Sequence, residues 1–598
     1  MKLKKFTVRN FKGIKELTMD MDNISIIIGP NNCSKSTILQ ALTQFGSKEL
    51  QLSKHLYHKH DMSQPISFHA TFTDLTEEEI EMHGIRNSIH RDSGDFIVRA
   101  VYKEGINVER ASKISGPQTH DLGQEGWEGR LGGGRNGTHF LNVFPEIIYI
   151  PAVKDANDEL KDKSAHMKTL FTLYKNVVTD LPEYREAYEK TQLLQQRINE
   201  HNDEKIRYFE DEVKEFLNEV TSTDVKFKVN VSPLDEIVST SLDTNFNYNG
   251  LDTKLVHQGN GVQRTFILSV FKGFRKYKRR FEEGNIENKR PLIIALEEPE
   301  LYLHPHLARV FKNTLYSLAD DGFFQVIATS HSPNFVDLSK PNRTLAKVYI
   351  GEDNKVGINQ VNSDVYGLPT HEKERLQALL RFNPYVNEVF FADRVILVEG
   401  DTEVIAFKVL GEKLVNDRLL NPEDYYRTTV VNCNGKGTMY VLLNILNNFG
   451  IKYTVIHDYD ITEFNRRGNR RSRSSLKATL TLNHKLEKLA FARGNKKFVL
   501  RHTFEAEMPD EYEQGSSKSF SAYEFLNAKE LHELPIGLLD IVKSSYGVAE
   551  IEPDHKNETL VSHYDWAEMR QALEEWNEPR EEEFLIRLWD IEQEATPI

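Results

Sequence analysis

Short apolar runs alternate with helical stretches along most of the chain. Residues 3–29 are predicted to form two strands, LKKFTVRNF and ISIIIG, the second apolar enough to be buried on both faces. Further buried strands are predicted at PLIIALEE, FFQVIATS, RVILVEG and YTVIHDYD, with helical sequence between them. This alternation predicts an α/β protein that contains two parallel sheets.

A helical, highly charged segment interrupts this pattern from about residue 157 to residue 221. Its apolar positions fall on one stripe of a helix and comprise Phe209, Val213, Phe216, Leu217 and Val220. The stripe fits an arm that packs on its own domain, and it fits equally an arm that dimerises. The sequence leaves both interpretations open.

Length and composition indicate a multidomain globular protein. The 598 residues are more than one hydrophobic core usually serves, so several domains are expected. No uninterrupted run of about 18 apolar residues occurs, and the N-terminus lacks an apolar stretch of signal-peptide length, so no membrane span is predicted. The two cysteines, Cys33 and Cys433, give no disulfide framework and suit a reducing cytoplasm.

The net charge of −14 is unevenly distributed. Residues 550–598 hold fifteen acidic and four basic side chains, so most of the negative charge lies in this tail. The nearly neutral body can therefore carry basic patches that bind nucleic acid. The tail itself fits a capping helix or a partner-docking surface.

The segment SIIIGPNNCSKSTIL has nearly the pattern of a phosphate-binding loop, G-x-x-x-x-G-K-[ST]. Ser34 stands where the second glycine belongs. The loop follows a predicted strand and opens a predicted helix, which is the context that such a loop requires. The residues expected to contact the nucleotide are Gly29, Asn31, Ser34, Lys35, Ser36 and Thr37.

Two later strands end in residues that suit a nucleotide site. In PLIIALEEPE the apolar strand ends in acids, so Glu297 is predicted to hold Mg²⁺ and Glu298 to polarise the attacking water. In QVIATSHSP the strand ends at His331, which is placed to reach a γ-phosphate.

A glycine-rich turn begins another predicted helix in HQGNGVQRTFIL. Free N–H groups at such a helix start bind phosphate oxygens, and the candidates here are Gly259, Gly261 and Gln263. Alone, each fragment fits a buried strand with a polar end or a simple turn. In this order the four elements resemble the ABC-type ATPase head. The resemblance implies that ATP and Mg²⁺ bind, and that two heads meet because each completes the site of the other.

Acidic residues also collect at strand ends in the C-terminal half. Glu399 ends RVILVEG and Glu403 follows one helical turn later; Asp458 and Asp460 end YTVIHDYD and are expected to share a strand face. Glu505, in FVLRHTFEAEM, is a further candidate. Carboxylates that meet in this way repel each other unless a cation joins them, and oxygen-only ligands favour Mg²⁺ or Mn²⁺. Two such ions would suit phosphodiester cleavage.

A basic, flexible segment directly follows these acids. In EFNRRGNRRSRSSLK no acidic residue occurs from Phe464 to Lys477, although the protein is acidic. A solvated charged loop is the plain interpretation, whereas a nucleic-acid contact at the mouth of a metal site is the functional one. The predicted DNA-binding residues are Arg466, Arg467, Arg470, Arg471, Arg473 and Lys477.

The E-G … D-x-D pattern is similar to the Toprim domain of topoisomerases, primases and related nucleases. An ATPase head with a helical insertion before such a domain resembles the OLD (overcoming lysogenisation defect) family, with local likeness to the Gabija anti-phage nuclease subunit in YHKHD, EEPE and TSHSP. The resemblance implies a metal-dependent DNA endonuclease or nickase in anti-phage defence, dimeric or tetrameric. It also implies a late catalytic lysine, for which Lys518 is the candidate and Lys543 the runner-up, while Lys436 in NCNGKGTMY is a candidate phosphate contact.

The same resemblance implies a division of the chain and a set of partners. The expected parts are residues 1–156 and 222–385 as the ATPase head, 157–221 as the helical insertion, 386–545 as the Toprim domain and 546–598 as the acidic tail. Relatives work alone, with a helicase, or with a reverse transcriptase and its nucleic acid. The alternative function is an ABC-type DNA-repair or recombination ATPase, or a scaffold, that binds DNA without cutting it.

Overall fold

A computed structural model gives the fold. It describes residues 1–47, 50, 52–82, 85–103, 106–120, 126–131, 144–152, 181–199, 245–248, 251–254, 258–259, parts of 261–273, 292–320, 324–337, 343–351, 353–361, 384–460, 473–491, 494–509, 511–513, 515, 517–549 and 560. The stripe between Phe209 and Val220, and residues 550–598 of the acidic tail except Leu560, lie outside these residues.

The described strands and helices are numbered in chain order. The strands are β1 Lys2–Phe11, β2 Ile14–Asp20, β3 Ile24–Ile28, β4 Ile66–Thr73, β5 Phe96–Lys103, β6 Ile106–Lys113, β7 Trp127–Arg130, β8 Glu146–Ile150, β9 Asn245–Tyr248, β10 Leu251–Lys254, β11 Leu292–Glu297, β12 Phe324–Thr329, β13 Arg343–Ile350, β14 Val356–Val361, β15 Arg394–Val398, β16 Thr428–Asn432, β17 Tyr453–Asp458 and β18 Lys496–Leu500. The α-helices are α1 Lys35–Phe45, α2 Glu77–Met82, α3 Pro182–Asn199, α4 Pro305–Asp320, α5 Asp401–Asn416, α6 Pro422–Tyr426, α7 Lys436–Asn448, α8 Arg473–Phe491, α9 Lys518–Ala528 and α10 Ile536–Tyr546.

An antiparallel sheet and a mainly parallel sheet enclose the N-terminal core. The antiparallel sheet has the order β2-β1-β4-β5-β6-β7, and the second sheet has the order β14-β13-β3-β12-β11-β8, in which only β14 is antiparallel to its neighbour. Helix α1 packs between them, because Leu39 and Phe45 share one core with Phe68 of the antiparallel sheet and Ile27 of β3. The phosphate loop therefore leads directly into a helix that is packed between the two sheets.

The C-terminal domain is a four-stranded parallel sheet in the order β16-β15-β17-β18. Successive residues of β15 enter different cores: Ile396 packs with α5, α9 and α10, and Leu397 packs with α7. Parallel strands that are buried on both faces explain the continuous apolar runs in the sequence. All four strands point their C-terminal ends to one edge of the sheet.

The core that contains α7 also includes residues of the mainly parallel N-terminal sheet, such as Ile26 and Val326. Two side chains add polar links between the domains. Asn359 of β14 donates a hydrogen bond to the carbonyl of Phe449, just after α7 (2.8 Å), and Asn387 donates to the carbonyl of Val336 (3.0 Å). The two domains are thus packed together in this structure.

The predicted α/β class is confirmed, and so are the strands predicted at β11, β12, β15 and β17. Both strands predicted in residues 3–29 are present as β1 and β3, but the sequence reasoning missed β2, which forms between them and pairs with β1 as a hairpin. Its sequence, IKELTMD, buries only Ile14, Leu17 and Met19, which is a weak signal over so short a length. Among the described residues, no helix is both long and apolar enough to cross a membrane.

Candidate nucleotide and metal sites

The loop from Gly29 to Ser34 leaves β3 and enters α1 through left-handed backbone conformations. Gly29 has φ 150°, Asn32 has φ 63° and Ser34 has φ 72° with ψ 21°. Such alternation turns successive N–H groups toward one point and makes a concave anion site. Ser34 keeps its N–H in this arrangement, but a non-glycine residue is strained at that φ.

Lys35 folds back onto the loop that precedes it. Its Nζ donates hydrogen bonds to the carbonyl oxygens of Gly29 (3.0 Å) and Pro30 (2.6 Å), and the residue is buried. Burial lowers the pKa of Lys35. The ammonium is therefore held at the centre of the loop, where the phosphates of a nucleotide would meet it.

The two acids at the end of β11 have different surroundings. Both carboxylate oxygens of Glu297 accept hydrogen bonds, one from the hydroxyl of Tyr149 (2.7 Å) and one from the N–H of Ala152 (3.0 Å). Glu298 has φ 40° and lies 3.5 Å from Nε2 of His331. Burial and the nearby Lys35 lower the pKa of His331. Glu298 and His331 thus lie together on the lysine side of the site, while Glu297 is bound to β8.

Glu300 is a residue of this site that the sequence reasoning missed. One of its oxygens accepts hydrogen bonds from the hydroxyl of Ser330 (2.8 Å) and from the N–H of His331 (2.7 Å). Burial raises the pKa of Glu300. The carboxylate fixes the end of β12 and so positions His331; the third acid of EEPE was the available signal.

The glycine-rich turn is described only in part. Val262 donates its N–H to the carbonyl of Gly259 (2.9 Å), and Gly261 lies close to the backbone of Tyr302. Gln263 lies outside the described residues. Gly261 therefore lies beside the segment that follows Glu300 in the same chain.

Three of the predicted metal ligands meet at the C-terminal edge of the second parallel sheet. One oxygen atom each from Glu399, Asp458 and Asp460 lies within 4.8 Å of the others. The N–H of Asp458 donates to Oε1 of Glu399 (2.9 Å), which ties the ends of β15 and β17 together. Asp460 reaches the group because the chain turns after β17, where it has φ 56°. The expected reason, a shared strand face, does not apply since β17 ends at Asp458.

The electrostatics of this group suit a cation. Burial, followed by the charges of Glu399, Asp460 and Glu403, raises the pKa of Asp458 to about 8. Burial lowers the pKa of the adjacent His457 to about 3, so that imidazole is neutral at physiological pH. Oxygen-only donors that repel one another fit Mg²⁺ or Mn²⁺.

Glu403 and Glu505 lie outside the set of three. Glu403 is buried on the first turn of α5, and its Oε2 is 3.1 Å from the position that a Cβ on residue 400 would occupy, so glycine leaves room for it. Glu505 lies in a short turn beyond β18 and forms an ion pair with Lys518 (3.2 Å). The structure thus joins the candidate late lysine to a candidate acid.

The runner-up lysine lies elsewhere. Lys543 is in the last turn of α10, and the following Gly547 lies close to the guanidinium of Arg394 at the start of β15. That is the opposite end of the strand from Glu399.

The predicted DNA-contacting residues cannot be placed. Arg466, Arg467, Arg470 and Arg471 lie outside the described residues, and of Arg473 and Lys477 only the backbone, in α8, is described. The segment connects Asp460 of the acidic group to the start of α8.

Fold and site together define an ATPase-type domain joined to a Toprim-type domain. Residues 1–122 and 102–336 match the family model described as AAA ATPase domain, and residues 390–460 match the model described as overcoming lysogenization defect protein-like, TOPRIM domain. Asp460, the last matched residue, is the third member of the acidic group.

Three curated relatives match over most of this chain. The Old nuclease of Escherichia phage P2 is 23% identical over 473 residues, 77% of each chain. The OLD nuclease of Thermus scotoductus is 22% identical over 91% of this chain and 98% of its own, and the endonuclease GajA of Bacillus cereus is 24% identical over 69% and 68%. The chain belongs to the AAA ATPase domain family, whose model matches more than half of it, and an OLD-like Toprim domain follows.

Proposed function

We propose that this protein is a metal-dependent DNA endonuclease or nickase that cleaves at the Toprim carboxylates and is regulated by ATP binding. The observation that carries the proposal is the convergence of Glu399, Asp458 and Asp460 at one sheet edge. The names of the three relatives, all nucleases, support the hydrolysis of phosphodiester bonds. The conclusion is an enzyme that hydrolyses a nucleic-acid backbone.

The three carboxylates, with Glu403 beside them, are the residues that would hold Mg²⁺ or Mn²⁺. Bound divalent ions supply positive charge that activates water and stabilises the leaving oxygen. The chain itself fixes the ligands, since the N–H of Asp458 orients Glu399. Lys518, paired with Glu505, is the candidate to protonate or neutralise a leaving oxygen near this edge.

The nucleotide site would act mainly as a sensor. Lys35, Ser36 and the loop N–H groups would hold the phosphates and their Mg²⁺, while strain at Ser34 weakens binding. His331 would contact the γ-phosphate. The segment that follows His331 is bonded to the second domain, because Asn387 donates hydrogen bonds to the carbonyls of Pro333 (3.2 Å) and Val336. The chain then runs from residue 387 into β15, which ends at the metal-binding edge.

The proposal extends to assembly and setting. Completion of each ATP site by a second head favours a homodimer or homotetramer. DNA is the proposed substrate, with the basic segment Phe464 to Lys477 as its contact. Likeness to a GajA endonuclease favours a role in anti-phage defence, alone or with a helicase or a reverse transcriptase as partner. Residues 1–156 with 222–385, residues 157–221, residues 386–545 and residues 546–598 are proposed as the head, insertion, Toprim domain and tail.

The rival function is a DNA-stimulated ATPase that binds DNA without cutting it. The intact pair of Glu298 and His331 favours it, since these residues suit ATP hydrolysis. The two functions differ in which substitution removes the main activity.

Supercoiled plasmid and ATP turnover separate the two functions. Glu399→Gln should abolish Mg²⁺- or Mn²⁺-dependent nicking and leave ATP binding unchanged, whereas Asp401→Asn, two residues away on α5, should still nick. Glu298→Gln should slow ATP turnover without abolishing nicking. Absence of nicking by the wild type, together with strong DNA-stimulated ATP turnover, would establish the rival.

A further inference from the structure

Lys436 places an ammonium group inside the Toprim acidic group. Its Nζ lies 3.0 Å from Oδ2 of Asp460 and 3.6 Å from Oε1 of Glu399, and only 7% of the side chain is exposed. Two of the three candidate metal ligands thus share one buried cation supplied by the chain. A buried ammonium requires such partners, because its own desolvation is costly.

The backbone holds this lysine in place. The N–H of Cys433 donates to the carbonyl of Val398 (2.9 Å), and the N–H of Gly435 donates to the carbonyl of Glu399 (3.1 Å). Gly435 has φ 100°, a conformation that L side chains rarely adopt, and the next residue starts α7. These two hydrogen bonds therefore hold the backbone just before Lys436 against the end of β15 that carries Glu399.

A divalent ion and this ammonium would compete for the same oxygens. Glu399 and Asp460 cannot keep short contacts to Lys436 while both also face a doubly charged ion, since the two cations repel each other at that distance. In the metal-free protein the lysine offsets the repulsion among the carboxylates. The metal must therefore replace an existing ion pair as well as shed water.

We propose that Lys436 is a built-in cation of the Toprim acidic group, which divalent metal must displace in order to bind, and which raises the metal concentration that the enzyme needs. The inference rests on the proposed function for its metal site and adds the regulation of that site. The inference predicts a difference in metal affinity that is measurable without DNA or nucleotide.

The test is Mn²⁺ binding to the full-length protein, measured by electron paramagnetic resonance of free Mn²⁺ without DNA or ATP. Lys436→Met should bind Mn²⁺ on the order of tenfold more tightly, because one competing positive charge is removed. Lys436→Arg keeps the charge and should bind like the wild type. Lys452→Met, directly before β17 and exposed, is the matched control and should also bind like the wild type.

A second readout separates competition from a purely structural role. In chelator the Lys436→Met protein should melt at a lower temperature than the wild type, and saturating Mn²⁺ should raise its melting temperature by more. If the Met variant does not fold, Lys436→Gln, which keeps a hydrogen-bond donor for Asp460, serves instead. Unchanged or weaker Mn²⁺ binding by the neutral variant would overturn the inference.

Asp458→Asn distinguishes a wrong role for Lys436 from a wrong metal site. If this variant loses Mn²⁺ binding while Lys436→Met gains nothing, the metal site is correct and the role of Lys436 is wrong. If Asp458→Asn binds Mn²⁺ as the wild type does, the site itself is wrong, and the proposed function fails with it.

Discussion

Ser34 has the backbone conformation that glycine would adopt at no steric cost. At φ 72° the serine is strained by about 1–2 kcal/mol, which corresponds to a five- to thirty-fold loss of affinity if the strain weakens the bound loop. The side chain of Ser34 also occupies the space next to the β1–β2 turn, because a methyl group on Gly13 of that turn would collide with Ser34 Oγ. The substituted P-loop position and this turn are therefore coupled.

A double-mutant cycle tests that coupling. Ser34→Gly should bind ATP several-fold more tightly, because the strain is relieved. Gly13→Ala should lower the melting temperature in the wild type but be tolerated in the Ser34→Gly background, where Oγ is absent. Calorimetry with ATP and thermal melts of the four proteins measure both effects; additive changes in melting temperature would contradict the contact.

Asp458 predicts a pH dependence for the metal-free protein. Its pKa is raised from an ordinary value near 3.8 to about 8, so the folded state binds a proton that the unfolded state has released over this range. The contribution to stability is complete below about pH 4 and is lost as the pH rises through 8. In chelator, the melting temperature of the wild type relative to Asp458→Asn should therefore fall between pH 5 and pH 8.

Saturating Mn²⁺ should reverse this trend, because the metal requires the ionised carboxylate. A difference in melting temperature that does not change with pH, with or without metal, would show that Asp458 titrates normally.

Helix α7 is the element that joins the two proposed activities. Its first residue, Lys436, reaches the acidic group, and the carbonyl just beyond its last residue accepts the hydrogen bond from Asn359 of the ATPase sheet. A rigid helix with one end at the acidic group and the other bonded to the ATPase sheet can transmit a small displacement between the two domains.

Asn359→Ala tests this link. The variant should bind ATP and nick DNA without nucleotide as the wild type does, whereas the change in nicking rate caused by a non-hydrolysable ATP analogue should shrink. Asn448→Ala is the matched control, because the hydrogen bond that its side chain donates stays within α7, to the carbonyl of Asn444 (2.9 Å). An unchanged nucleotide effect in Asn359→Ala would remove the helix from the coupling.

At the level of elements, the sequence predicted what depends on local pattern. Apolar runs that end in Glu399 or Asp458 identified strands and the edge at which they meet. The sequence did not predict that Glu297 bonds to Tyr149 or that Lys436 enters the acidic group, since both contacts join segments that are distant in sequence. Gly435 and Asn359 carry no chemical signal of their own, and only the packed fold gives them a role.

For the whole molecule, the charge distribution predicts how DNA binding responds to salt. Replacement of Arg466, Arg467, Arg470, Arg471 and Arg473 with Ala should weaken binding and reduce the slope of log K against log salt by about one per lost phosphate contact. Fluorescence anisotropy of labelled duplex DNA over a range of salt concentrations measures it. A slope equal to that of the wild type would place the DNA path elsewhere.

Cleavage of supercoiled plasmid by the wild type and by Asp458→Asn in the same Mn²⁺ buffer tests most directly whether the Toprim carboxylates form the nuclease site. The wild type should nick or linearise the DNA, chelator should stop it, and the variant should be slower by at least about a hundredfold, because the buried ligand of the acidic group is lost. Both proteins should bind ATP equally. Cleavage by Asp458→Asn at the wild-type rate would contradict the assignment of the Toprim carboxylates as the nuclease site.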